Sequence, residues 1–182
     1  MGRKGWTVVI VSVVALIGAA VSFSWFFFRP PPPAAVQLHA VSTLLVRTDY
    51  SDPAAWTQVR DLISRPTVDG FVANVDLIEN PTWAGLAPAD AVRLLYPDRR
   101  GHALMVVADA QTMRDPEHTL LCIDPQTLNS LRVIPSLLWS IENNLSLANL
   151  DWRDFAENTD KDGVLRGFKD DEKKPQAVPG QP

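Results

Sequence analysis

Thr119-Leu-Leu-Cys-Ile-Asp-Pro-Gln-Thr-Leu-Asn-Ser-Leu-Arg-Val-Ile134 is the stretch that decides the fold class. Thr119 to Ile123 and Leu131 to Ile134 read as two short strands, and the turn that begins at Asp124-Pro125 leaves too few residues between them for a helical crossover. The sheet to which they belong therefore contains an antiparallel pair. Upstream, three more apolar runs read as strands: Thr43-Leu-Leu-Val-Arg47, residues 71–78, and His102-Ala-Leu-Met-Val-Val-Ala108, which is apolar throughout, as expected for a strand covered on both faces. Helices separate them. Asp52 and Pro53 suit the N-cap and first helical position, and Trp56, Val59 and Ile63 give an inward stripe up to about Ser64; residues 88–95 make a shorter helix. Strands alternating with helices predict an α/β domain, with a mixed sheet of about five strands covered by helices.

Downstream lies Trp139-Ser-Ile-Glu-Asn-Asn-Leu-Ser-Leu-Ala-Asn-Leu-Asp-Trp152. At 100° per residue Leu137, Leu138, Ile141, Leu145, Ala148 and Trp152 fall in one arc, which is the core face of an amphipathic helix. Ser136 suits the N-cap, with Pro135 discouraging helix upstream. Trp139, Asn143 and Ser146 share the opposite side, where an aromatic ring needs a cover; they form a candidate interaction surface. Asn is a poor helix former, so Asn144, at the edge of the arc, is expected to tie down a neighbouring loop. Asp151 can cap a last short helix through Trp152 and Phe155, and Asp162-Gly163 turns the chain into Val164-Leu-Arg-Gly-Phe168.

Outward from the domain, residues 1–29 comprise a short N-terminal tail and an apolar span. Trp6 to Phe28 is 23 residues without a charge, about 34 Å as a helix and long enough to cross the bilayer and meet membrane lipid. A cleaved signal peptide is the competing reading, but the run exceeds the usual apolar region of about 7–15 residues, and bulky aromatics precede Arg29. Arg3 and Lys4 outweigh Arg29, which favours an external domain, although a cytoplasmic orientation stays open. Residues 30–42 are a Pro-rich linker in which Pro30 to Pro33 form a stiff spacer of about 12 Å. The domain occupies residues 43–168. Residues 169–182 form a charged tail with too little apolar surface to offset ordering, so disorder is expected there.

Of the 17 Lys and Arg, three precede Ala34, so 14 face all 21 Asp and Glu in the rest of the chain. With no clustered basic patch, nucleic acid is excluded as a partner. The single cysteine, Cys122, forms neither an intrachain disulfide nor a thiolate metal site, and no cofactor motif or paired nucleophile and base occurs.

Arg47, Asp49, Asp76, Asp109 and Asp124 fall at or near strand ends, where open α/β sheets gather ligands. Together they form a candidate ligand pocket whose carboxylates suit Mg²⁺, although Asp in turns also serves local bonding. Asp115-Pro-Glu-His118 reads as a solvated turn. Asn158-Thr-Asp-Lys-Asp-Gly163 imitates half of a calcium loop, but Lys169 stands where the last carboxylate belongs, so no metal site is assigned.

Thr43-Leu-Leu-Val-Arg-Thr-Asp-Tyr50, the Trp139-Ser-Ile-Glu-Asn-Asn-Leu-Ser-Leu-Ala-Asn149 segment and Asp162-Gly-Val-Leu-Arg-Gly-Phe168 together resemble an uncharacterised bacterial family, mainly actinobacterial, over about residues 43–168. The resemblance implies a small α/β domain, usually without an anchor, and supplies no catalytic residues. The expected function is a membrane-tethered binding or interaction module, with a protein partner as one possibility. The alternative is an enzyme or metal-dependent small-ligand site built from the strand-end carboxylates. A pocket joining Arg47, Asp76 and Asp109 would favour the alternative, and a flat open face around Trp139 the module.

Overall fold

The computed structural model describes residues 42–98 and 101–169. The expected span at residues 6–28, the Pro-rich linker up to residue 41 and the tail after Lys169 lie outside the described residues. Among the described residues no helix is long and apolar enough to cross a membrane.

In chain order the elements are β1 (Thr43–Arg47), α1 (Pro53–Ser64), β2 (Val75–Ile78), a 3-10 turn (Pro81–Trp83), α2 (Pro88–Leu95), β3 (Met105–Ala108), α3 (Ala110–Arg114), β4 (Leu120–Ile123), β5 (Ser130–Val133), a second 3-10 turn (Pro135–Leu137), α4 (Leu138–Ser146), α5 (Trp152–Glu157) and β6 (Val164–Leu165). The described residues make one mixed sheet in the order β2-β1-β3-β4-β5-β6. β1 runs parallel to β2 and β3, β4 is antiparallel to both β3 and β5, and β6 lies parallel to β5. The sixth strand beyond the expected five is β6, with Val164 beside Arg132 and Leu165 beside Val133.

Side chains alternate across the sheet and build a core on each face. Leu45 and Val106 pack with Trp56, Val59 and Ile63 of α1 and with Leu138 and Ile141 of α4. Leu44, Val46, Met105 and Val107 pack on the other face with Ala91, Val92 and Leu95 of α2 and with Trp83. A strand sandwiched this way has no polar face, which is why β1 and β3 read as unbroken apolar runs. α1 begins as the sequence predicts: Asp52 accepts from the backbone N–H groups of Ala54 and Ala55, both at 2.9 Å, and Pro53 occupies the first turn.

Four local expectations change. The strand expected at residues 71–78 is only Val75–Ile78, because its first half turns onto α4. Phe71 stacks on Trp139 at 4.8 Å and 8°, and the Asn74 N–H donates to Glu142 Oε2 at 3.1 Å instead of to a ladder partner. The strand expected from His102 starts at Met105, since His102 stacks on Tyr96 at 3.8 Å; the Tyr96 hydroxyl sits 3.2 Å from the Leu44 N–H and 3.4 Å from the Leu104 carbonyl. Burial pushes the Tyr96 phenol up to about 12. Ser136 is exposed and caps nothing: Pro135 opens a 3-10 turn itself, and α4 follows without a side-chain cap. α4 also stops at Ser146, short of Trp152. Ala148 takes the left-handed conformation, with φ 54°, while Ala148 and Asn149 donate backward to the carbonyls of Leu145 and Asn144 at 3.2 and 2.9 Å.

Candidate ligand site at the carboxyl end of β1

β1 lies between β2 and β3, all three parallel, with α1 packed on one face and α2 on the other. The chain leaves β1 toward β2 on one side and returns as β3 on the opposite side, so strand order reverses between β1 and β3. The crevice beyond the carboxyl ends of such strands is where open α/β sheets bind ligands. Here the Thr48 N–H donates to the Ala108 carbonyl at 2.9 Å, and Gly85 donates to the Thr48 carbonyl at 2.8 Å, which fixes the loop after β1 against β3 and the turn after β2.

Arg47, the last residue of β1, is 7% exposed. Its Nε donates to the Asp49 carbonyl at 2.8 Å. The guanidinium carbon lies 4.2 Å from the centre of the Tyr50 ring and 5.1 Å from that of Trp56, so the cation is held against two aromatic faces. Each such contact stabilises by roughly 0.5–2 kcal/mol. Arg47 Nη2, Tyr50 Oη and Trp56 Nε1 are all buried without a hydrogen-bond partner among the described residues. An unsatisfied buried donor costs about 1–3 kcal/mol, and more when charged, so three around one cation need a reason. Burial raises the Tyr50 phenol above its usual value, Arg47 lowers it and Glu79 raises it; with the net shift upward it remains a donor at neutral pH. Glu79 is itself paired with Arg60 at 3.6 Å.

The sequence candidates distribute unevenly around this edge. Arg47, Asp49 and Asp109 share it. Asp49 accepts from the Ser51 N–H at 3.0 Å and from the Ser51 hydroxyl. Asp109 caps α3, accepting from the N–H groups of Gln111 and Thr112, both at 3.0 Å, while its other oxygen holds Arg132 Nη2 at 2.6 Å. Burial alone would raise the Asp109 carboxyl, but hydrogen bonds from Arg132 and Thr112 and the Arg132 charge outweigh it and hold the carboxyl below its ordinary range. Asp76 lies beside Leu44 in the amino half of β1, bonded by the Ser42 hydroxyl. Asp124 follows the antiparallel β4 and so lies at the opposite edge, accepting from the Gln126 N–H at 2.8 Å and the Thr127 hydroxyl at 2.6 Å. A pocket joining Arg47, Asp76 and Asp109 is therefore not formed. Among the described residues no three His, Cys, Asp or Glu side chains gather as metal donors. Asp124 does line a cleft of about 590 Å³ with Trp152 and Arg153, and another of about 420 Å³ runs between α1 and β2 past Ile63, Val72 and Leu77. Neither is lined by Arg47, Tyr50 or Trp56.

The two sequence motifs are committed to the fold. Asp115 accepts from the N–H groups of Glu117 and Thr119, and His118, at φ 53°, places Nδ1 3.1 Å from the Thr112 carbonyl and Nε2 2.8 Å from Gln58 Oε1. In the calcium-like segment Asp160 accepts from the N–H groups of Asp162 and Val164 and pairs with Arg166, and Asn158 Oδ1 takes the Lys169 N–H at 3.0 Å. Cys122 is fully buried in β4, its thiol pushed up by that burial.

The helix face of Trp139, Asn143 and Ser146 is partly covered by the chain itself. Trp139 is half-buried under Phe71, the Ser146 hydroxyl donates to Glu142 Oε1 at 3.1 Å, and Asn143 is half-buried. The residue that ties down the loop is the buried Glu142, not Asn144, whose amide donates to the Ser140 carbonyl one turn back at 2.9 Å. Sequence reasoning missed Tyr50 and Trp56 as neighbours of Arg47. The available signal was an arginine ending an apolar strand, with aromatics in the following turn and the first helical turn.

A search of curated proteins finds no match to the chain. The family described as a domain of unknown function (DUF6924) matches residues 42–168, well over half of the sequence, and the chain belongs to that family.

Proposed function

We propose that the protein is a membrane-tethered binding module whose ligand is received at the carboxyl end of β1. The observation that supports this is the set of buried polar atoms around Arg47 that lack partners among the described residues, placed where the strand order reverses. A catalytic alternative needs carboxylates held free for chemistry. Asp49, Asp109 and Asp124 are instead engaged by neighbouring backbone and side-chain donors. In this reading the apolar residues 6–28 span a bacterial membrane, in keeping with the mainly actinobacterial resemblance, and Pro30 to Pro33 hold the domain outside it. The thermal midpoint of the full-length protein tests the binding function against a panel of small organic anions, cations and neutral molecules. A ligand that binds the folded state raises the midpoint with its concentration. That rise should disappear in Arg47→Gln. A panel with no concentration-dependent rise, or a rise equal in the variant, overturns the reading.

A further inference from the structure

A guanidinium carries five N–H bonds, all in its plane. At Arg47 the Nε–H is used on the Asp49 carbonyl, and the Tyr50 and Trp56 rings lie against the group. Contact with the ring faces leaves the N–H edge of the fork for hydrogen bonding, and Nη2 on that edge is buried without a partner among the described residues. The Tyr50 hydroxyl and Trp56 indole N–H, on the two rings that hold the cation, are in the same state. The set therefore comprises donors and one permanent positive charge, which is the complement of an anion.

The kind of anion follows from what surrounds the set. The planar fork matches two oxygens of one carboxylate. Glu79, although paired with Arg60, lies within electrostatic reach of Tyr50, so a second negative charge on the ligand would be disfavoured. A monoanion suits the site better than a phosphate dianion. Arg47 and Trp56 are held in β1 and α1, whereas Tyr50 is half-buried on the loop between them. Entry of a ligand goes with movement of Tyr50 off the guanidinium.

We infer that Arg47, Tyr50 and Trp56 form a binding site for the carboxylate group of a small organic acid. The assignment rests on the reading of this edge as the place where the domain binds its ligand. Full-length ¹⁵N-labelled protein in nonionic detergent tests it, with the Trp56 indole N–H resonance identified by its loss in Trp56→Phe. Acetate, acetamide and inorganic phosphate are titrated separately at matched ionic strength with chloride. Acetate should shift the Trp56 resonance saturably, with a midpoint on the order of 1–10 mM for so small a ligand. Acetamide and phosphate should be weaker by roughly tenfold, the equivalent of one good hydrogen bond. Arg47→Gln should abolish the acetate response while the Trp139 indole, stacked on Phe71 rather than on the guanidinium, keeps its position and reports an intact fold. If Arg47→Gln disturbs Trp139, Tyr50→Phe replaces it: losing one hydroxyl should weaken acetate by about fivefold to tenfold. A stronger response to phosphate or acetamide than to acetate overturns the carboxylate assignment and leaves the binding reading standing. No response to any of the three overturns both. An acetate response untouched by the informative substitution overturns the site.

Discussion

Asp109 joins three tasks in one side chain: it ends β3, caps α3 and neutralises Arg132. Its carboxyl is held below the ordinary value of 3.8, and Asp115, bonded by Thr119 and by the Glu117 and Thr119 N–H groups, is shifted the same way against its own burial. A carboxyl with a depressed folded-state value contributes stability in full above its unfolded value and loses it as pH falls through the folded one. Asp109→Asn should therefore destabilise the protein by roughly 1–3 kcal/mol at neutral pH, since it leaves a part-buried arginine without its counter-charge. The gap to the parent should close as the pH drops below about 3.8. Denaturant midpoints of both proteins between pH 7 and 2 measure it, and a gap that stays constant to the acid end contradicts this account. The sequence marked Asp109 as a strand-end carboxylate but did not reveal this role. Its cap partner is Thr112 rather than the Glu or Gln of a usual capping box, and Arg132 lies 23 residues away on another strand.

At the scale of elements, those whose signals are local were legible. Asp52 and Pro53 mark the start of α1, Pro88 that of α2, and the close spacing of β4 and β5 makes them antiparallel. Elements whose ends depend on a distant contact were misjudged. Residues 71–74 have the composition of a strand, yet the available partner for Phe71 is Trp139, 68 positions later, and for the Asn74 N–H it is Glu142. The same contact answers why a tryptophan sits opposite the core face of α4. Removing both rings should show that they act as a unit: in a cycle of Phe71→Ala, Trp139→Ala and the double variant, the coupling should be about 0.5–1.5 kcal/mol. Additive effects within error would mean that the stack does not hold this loop. The candidate site was half legible for the same reason. Arg47 stood out as a charge closing an apolar strand, whereas Trp56 matched the core stripe of α1 so well that nothing in its spacing set it apart.

The whole molecule combines this domain with an N-terminal quarter read from its sequence. If residues 6–28 span the bilayer with Arg3 and Lys4 inside, protease added to intact cells should release the domain, with a cut in the Pro-rich linker leaving the span behind. Complete protection under an active protease would reverse the orientation, and a mature terminus near Ala34 would replace the anchor with a cleaved signal. The order of the sheet matters to such a chain before it ever binds anything. β1 is the first strand along the chain yet sits between two later ones: Leu44 lies beside Asp76 on one side and Met105 on the other. Contacts that distant in sequence form late, and synthesis delivers the chain from its N-terminus. As the chain emerges, the fully buried β1 has no neighbour to pair with until β2 appears, and it is flanked on both sides only after β3. The first strand of the sheet to be synthesised waits for two later ones before it is enclosed.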